Sequence, residues 1–276
     1  MNKVFISLES GGVLRRVARI SGWMSCLAGF ALSASPLKAQ IAVNRVEISF
    51  QPKAFDSRLG TIVLTNEGNA AVQAQVRLED WDRAEDGTNR WFPYGTLPGS
   101  CGKMLQIFPA SVSLDPGASQ AVRLTMDSTA TPTKECWAAA MVETLQPRVE
   151  GGGRTVTYAI RTAVKVYVVP QGQTSEGELL DMVIAPDSTS KGEAVDLTFQ
   201  NTGGRHLMTK GTVEFRRADN SVAAKIDVPM LYTLPGAKSR VHLAVPKLPP
   251  GKYVALAVLD YGGEQLAAAQ FDYEAR

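Results

Sequence analysis

From Arg154 to Pro170 apolar and polar positions alternate: one face would carry Val156, Tyr158, Ile160, Thr162, Val164, Val166 and Val168, the other Thr155, Thr157, Ala159, Arg161, Ala163, Lys165 and Tyr167. A period of two predicts a β-strand. The run is longer than an average strand and follows the flexible tract Glu150-Gly151-Gly152-Gly153. Its first half is therefore expected to outrun its own sheet. An apolar strand edge left unpaired invites another chain. An ordinary hairpin arm would show the same alternation, so the pattern alone leaves both readings open.

Six shorter runs precede it, near 41–50, 60–66, 71–81, 104–113, 119–126 and 136–145, and no convincing amphipathic helix interrupts them. Val72, Ala74, Val76 and Leu78 alternate with Gln73, Gln75, Arg77 and Glu79 as in a strand with one wet face. Leu114-Asp115-Pro116-Gly117 supplies the φ values of a tight turn. Seven strands in such a length predict an immunoglobulin-type β-sandwich over 40–170. The polar, small stretch 171–177 suits a linker. Seven further runs, near 179–185, 194–200, 207–216, 221–228, 238–245, 252–261 and 265–273, are punctuated by Asp219-Asn220, Pro235-Gly236, Pro249-Pro250-Gly251 and Gly262-Gly263. They predict a second sandwich over 178–276. The expected fold is all-β, with two immunoglobulin-like β-sandwich domains in tandem, and no sequence repeat joins the halves strongly enough to mark them as duplicates.

The first 39 residues read differently. Lys3, Arg15, Arg16 and Arg19 precede an apolar run from Ile20 to Ala34, and small residues then lead to Leu37-Lys38-Ala39. This is the pattern of a cleavable signal peptide, with the cut expected after Ala39. The run is short for a spanning helix, so no stable membrane insertion is expected once it is removed. The pair Arg15-Arg16 leaves the twin-arginine route open. Removal takes five basic residues and one acidic residue, turning the formal charge from +2 to about −2. A nucleic-acid partner is unsupported by that balance. Cys26 leaves with the signal, and Cys101 and Cys136 remain, an even pair expected to form a disulfide in an oxidising compartment.

Candidate chemistry is sparse. His206 and His242 have no cysteine or carboxylate at metal-ligand spacing, so no metal is expected. There is no nucleophile elbow and no phosphate-cradling glycine loop, so no enzyme and no cofactor are expected. The acidic cluster Glu79, Asp80, Asp82, Glu85 and Asp86 fits a solvated hairpin tip better than a calcium loop. Lys165 is the informative charge. Set among apolar neighbours, it either snorkels to solvent or aims its ammonium into a cleft.

Three segments resemble the periplasmic chaperones of the chaperone–usher pilus pathway. They are Val63-Leu64-Thr65-Asn66 with the strand to Trp81, the run from Phe108-Pro109 through Leu114-Asp115-Pro116-Gly117 to Gln120 and Arg123-Leu124, and Lys165-Val166-Tyr167-Val168-Val169-Pro170. Their order and spacing cover nearly all of 41–170. The resemblance implies a periplasmic protein that uses no ATP. It would capture pilus or fimbrial subunits by donor-strand complementation and deliver them to an outer-membrane usher. By position, Val156, Tyr158 and Ile160 would be the donated side chains, and Lys165 would anchor the subunit carboxylate. Arg45, the basic residue available on the first strand, would share that role although it lies farther from Asn66 than in the family. Val169 stands where the family often carries a charge, so the family's interdomain ion pairs are not expected. The short loop near 148–155 resembles the family's short-loop subclass. The rival reading is a secreted adhesion or carbohydrate-binding β-sandwich, in which the long strand is merely structural.

Overall fold

The computed structural model describes residues 41–52, 58–150, 153–187 and 192–275, and the expected signal peptide lies outside them. Alternating runs become ten strands in the first sandwich: β1 (Ile41–Val43), β2 (Glu47–Phe50), β3 (Leu59–Asn66), β4 (Val72–Arg83), β5 (Asn89–Pro93), β6 (Leu105–Phe108), β7 (Ser111–Leu114), β8 (Ser119–Met126), β9 (Cys136–Glu150) and β10 (Arg154–Val168). One sheet has the order β1-β3-β8-β6, and the other β2-β10-β9-β4-β5 with β7 also paired to β4. Seven strands follow: β11 (Gly177–Pro186), β12 (Glu193–Asn201), β13 (Leu207–Arg216), β14 (Val222–Thr233), β15 (Lys238–Ala244), β16 (Gly251–Asp260) and β17 (Ala267–Ala275). They form sheets β11-β12-β15 and β14-β13-β16-β17. The protein is all-β, two immunoglobulin-like sandwiches in tandem.

Each sandwich closes over its own core. Ile62, Leu64, Val122, Leu124, Val164 and Val166 are fully buried in the first, and Val195, Leu197, Phe199, Val213, Phe215 and Leu259 in the second. Two of the expected strands are broken. The run 41–50 divides at residues 44–46, so that β1 pairs with β3 in one sheet while β2 pairs in parallel with β10 in the other. The run 104–113 divides at Pro109, where β6 serves β8 and β7 serves β4. Proline has no N–H for a ladder and suits such a corner, and the inward row slips by one there, from Leu105 and Ile107 to Val112 and Leu114. A fifth strand, β5, pairs with the end of β4 and accounts for the acidic cluster as a hairpin closed through Gly87 at φ +87°. Asp80, however, is buried there and accepts bonds from Thr96 N, Leu97 N and Ser100 Oγ at 2.7, 2.9 and 2.6 Å.

The two sandwiches share a device that sequence comparison of the halves did not disclose. Asn66 ends β3 fully buried, its amide donating to the carbonyls of Ala70 and Leu114 and its Oδ1 accepting from Gly68 N. Asn201 ends β12 in the same way, donating to Arg205 and Thr233 and accepting from Gly203 N. In each case the asparagine carbonyl takes the N–H of a turn glycine, Gly117 or Gly236. Asn-x-Gly and Pro-Gly-Ala recur in both halves for this reason. Five matching positions per half are too few to mark the halves as a repeat.

Cys101 and Cys136 are joined by a disulfide spanning 35 residues. It ties the loop that wraps Asp80 to the start of β9. Closing a loop of that length restricts the unfolded chain, and its loss should lower stability by about 4 kcal/mol. Urea unfolding of the oxidised protein against the Cys101→Ser/Cys136→Ser variant measures this, and equal midpoints would contradict it.

Candidate functional site

Among the described residues, strand β10 is paired along its whole length on one side only. Its ladder with β9 runs from Arg154↔Glu150 to Val168↔Cys136. On the other side β2 covers Lys165 to Val168 and stops at Glu47. Beyond that the hairpin leaves the sandwich, since β4 pairs with β9 only as far as Thr144. Lys165 N donates to Val46 O and Val169 N to Phe50 O, so odd-numbered amides point toward the β2 side. By the period of two, Thr155, Thr157, Ala159, Arg161 and Ala163 present their N–H and C=O groups along an open edge of ten residues, about 33 Å long.

The valine stripe behaves as a core row that runs out of the core. Val164, Val166 and Val168 are fully buried, Ile160 and Val156 are half-buried, and Tyr158 is exposed. The opposite face is charged and self-paired in its middle. Arg77 bridges Glu79 and Glu143, each at 2.9 Å, and Arg161 pairs with Glu79 and, at 3.4 Å, with Glu143.

Lys165 lies next along that face and has no such partner: it forms no salt bridge with a described carboxylate. Its ammonium sits 4.5 Å from the ring of Trp81 and 5.6 Å from that of Tyr232, the latter carried by β14 of the second sandwich. Trp81 is itself buried, its Nε1 donating to Ala138 O at 3.1 Å, and Trp137 Nε1 donates to Trp81 O at 2.8 Å. Burial, followed by the nearby Arg83 charge and opposed by Glu47, pulls the Lys165 pKa down to about 8. Glu47 stands in register opposite Lys165, and the exposed Arg45 lies in the bend before it, without an ion pair among the described residues.

The second sandwich is held against this face. Tyr167 packs edge-on against Trp81 and stacks on His206, with centroids 3.8 Å apart. Burial, then Glu47 and Glu135, push the Tyr167 hydroxyl up. The carboxylate of Glu135, beside the disulfide, accepts from both the backbone N and, at 2.7 Å, the Nδ1 of His206. Arg240 approaches Glu85 at 3.6 Å, and Leu234 and Ala237 join Trp81 and Tyr167 in a shared apolar cluster. Val169 carries no charge for an ion pair at its position, and the sandwiches are joined instead through Glu85–Arg240 and the Glu135–His206 hydrogen bonds. Trp81, Arg83, Tyr232, His206 and Glu135 were all missed from sequence. Trp81 and Arg83 did share a face by alternation, but the contacts that give them meaning come from the other sandwich.

A hollow of about 890 Å³ lies elsewhere, lined by 174–178 and 261–265. It touches none of these groups, and an extended edge needs no cavity.

No protein-family model matches the chain, and no curated protein matches it significantly. Solved structures do. A chaperone–tip adhesin complex of CFA/I fimbriae biogenesis aligns with TM-score 0.48 and 13% identity over 86% of this chain and 100% of that one. The class 5 fimbriae chaperone CfaA aligns with TM-score 0.47 and 14% identity over 83% and 98%. The CsuC–CsuE chaperone–tip adhesion subunit complex of Acinetobacter baumannii aligns with TM-score 0.46 and 14% identity over 84% and 98%. These neighbours are pilus chaperones.

A lysine with a folded pKa near 8 and an unfolded one near 10.5 binds fewer protons folded than unfolded between those values. Stability should therefore rise with pH from about 8 to 10.5, and the Lys165 ammonium should titrate near 8 by side-chain NMR. A midpoint near 10 would show an ordinary solvated lysine.

Proposed function

We propose that this protein is a periplasmic chaperone of the chaperone–usher type. It captures a pilus or fimbrial subunit by lending it the open edge of β10 and passes the subunit to an outer-membrane usher. The observation that carries this is the ten-residue edge that ends at Lys165, a lysine that forms no salt bridge with a described carboxylate. A subunit sandwich lacking its last strand has an unpaired edge and an open apolar groove, and strand addition satisfies both.

Magnitudes divide the work. Each new ladder hydrogen bond replaces one to water and contributes only about 0.5–1.5 kcal/mol, so the backbone mainly sets register. Burying each of Val156, Tyr158 and Ile160 in the groove contributes about 1.5–3 kcal/mol, so the stripe supplies affinity. Direction follows from charge. A terminal carboxylate seated at Lys165, with the preceding residues along 154–163, makes the subunit strand run parallel to β10 and collinear with β2. Lys165 is the anchoring candidate, with Arg45 exposed in the bend before β2, and the signal peptide ending at Ala39 would deliver the chain to the periplasm. The reading involves no ATP, because release into a fibre that supplies a better strand runs downhill.

Tyr158→Asp and Ile160→Asp should leave the protein folded, because the edge lies outside its core, yet abolish co-purification with a co-expressed subunit. Unfolding of both variants would place the strand inside the fold and refute donation. Lys165→Ala should weaken capture by about 2–5 kcal/mol, the range for truncating one partner of a buried interfacial charge pair. Wild-type affinity in that variant would leave Lys165 a snorkelling side chain.

A further inference from the structure

Arg83 ends β4 on the same outward face as Trp81 and is half-buried at the junction of the sandwiches. Its Nε is buried without a hydrogen-bond partner, and its guanidinium forms no ion pair with a described carboxylate. The guanidinium carbon lies 5.3 Å from the centroid of the Tyr232 ring, the same ring that lies 5.6 Å from the Lys165 ammonium. Two cations therefore converge on one aromatic side chain, close enough for each to feel the other. Arg77, Arg90, Arg161 and Arg216 all reach carboxylates. Arg83 and Lys165 do not, although holding like charges together away from bulk water is unfavourable.

We propose that Arg83 and Lys165 form a two-pronged carboxylate clamp roofed by Tyr232, with Arg83, rather than Arg45, as the second cation that seats the ligand's terminal carboxylate. This rests on the capture reading above and deepens it. A carboxylate between the prongs accepts from the Lys165 ammonium with one oxygen and from the Arg83 guanidinium with the other, which satisfies the orphaned donor and relieves the repulsion. Glu47, in register with Lys165, opposes the ligand's charge from the β2 side and balances the prongs in the free protein. Tyr232 belongs to the second sandwich, so the clamp is complete only while Glu135–His206 and Glu85–Arg240 hold the two sandwiches together.

The test compares one pilus subunit in two forms, with its natural terminal carboxylate and as the C-terminal amide. Their dissociation constants are measured for wild type, Arg83→Gln, Arg83→Lys, Arg45→Gln and Lys165→Ala. Arg83→Gln should weaken binding of the carboxylate form about 10- to 100-fold, as expected for a lost hydrogen bond to a charged group, and leave the amide form near wild type. Arg83→Lys, which keeps the charge, should restore part of the loss and guards against misfolding of the Gln variant. Arg45→Gln should change little. A large loss in Arg45→Gln or Lys165→Ala with none in Arg83→Gln would overturn the clamp while leaving capture intact. No loss in Lys165→Ala, Arg83→Gln or the amide form would overturn clamp and anchor together.

Discussion

A β-strand has two hydrogen-bonding edges, and β10 before Lys165 uses only one. Everything else in the first sandwich is arranged around that constraint. The core row Val164, Val166 and Val168 continues outward as Ile160, Tyr158 and Val156, so the same side chains that would fill a core are carried beyond it. The outer face is stiffened by the Arg77–Glu79–Glu143–Arg161 network, which holds β4, β9 and β10 together where β2 no longer helps. Exposed pairs contribute little singly, about 0–1 kcal/mol, and carry more weight where several charges form one network, as these four do.

At its inner end the open edge meets a second constraint, a half-buried cation that forms no salt bridge with a described carboxylate. The rings of Trp81 and Tyr232 offset part of that cost through their faces, and one of them arrives from the second sandwich. In the proposed reading the interdomain contacts therefore bear on recognition as well as on stability. Glu135 adjoins Cys136, so the disulfide that fixes the start of β9 also fixes the carboxylate that grips His206.

Period-two alternation made the strands and the two-sandwich class legible, and it placed Lys165 on the face opposite the valine stripe. It did not show which sheet each half of a run joins, although the inward row slips by one position at both breaks, from Ile41 and Val43 to Ile48 and Phe50 and from Leu105 and Ile107 to Val112 and Leu114. Nor could it show the junction. Arg83 gains significance from Tyr232, a residue brought near only by packing of the second sandwich, and Asn201 repeats Asn66 through hydrogen bonds rather than through extended sequence likeness. Local pattern reports on an element's own faces; contacts between elements distant in sequence leave no periodic trace.

Amide hydrogen exchange along β10, with and without a bound subunit, tests the account most directly. Even-numbered amides from Val156 to Thr162 are bonded to β9 and should be protected in both states. Those of Thr155, Thr157, Ala159, Arg161 and Ala163 should exchange freely in the isolated protein and become protected when a subunit is bound. Protection of the odd-numbered amides in the isolated protein, or their continued free exchange in the complex, would contradict donation of this edge.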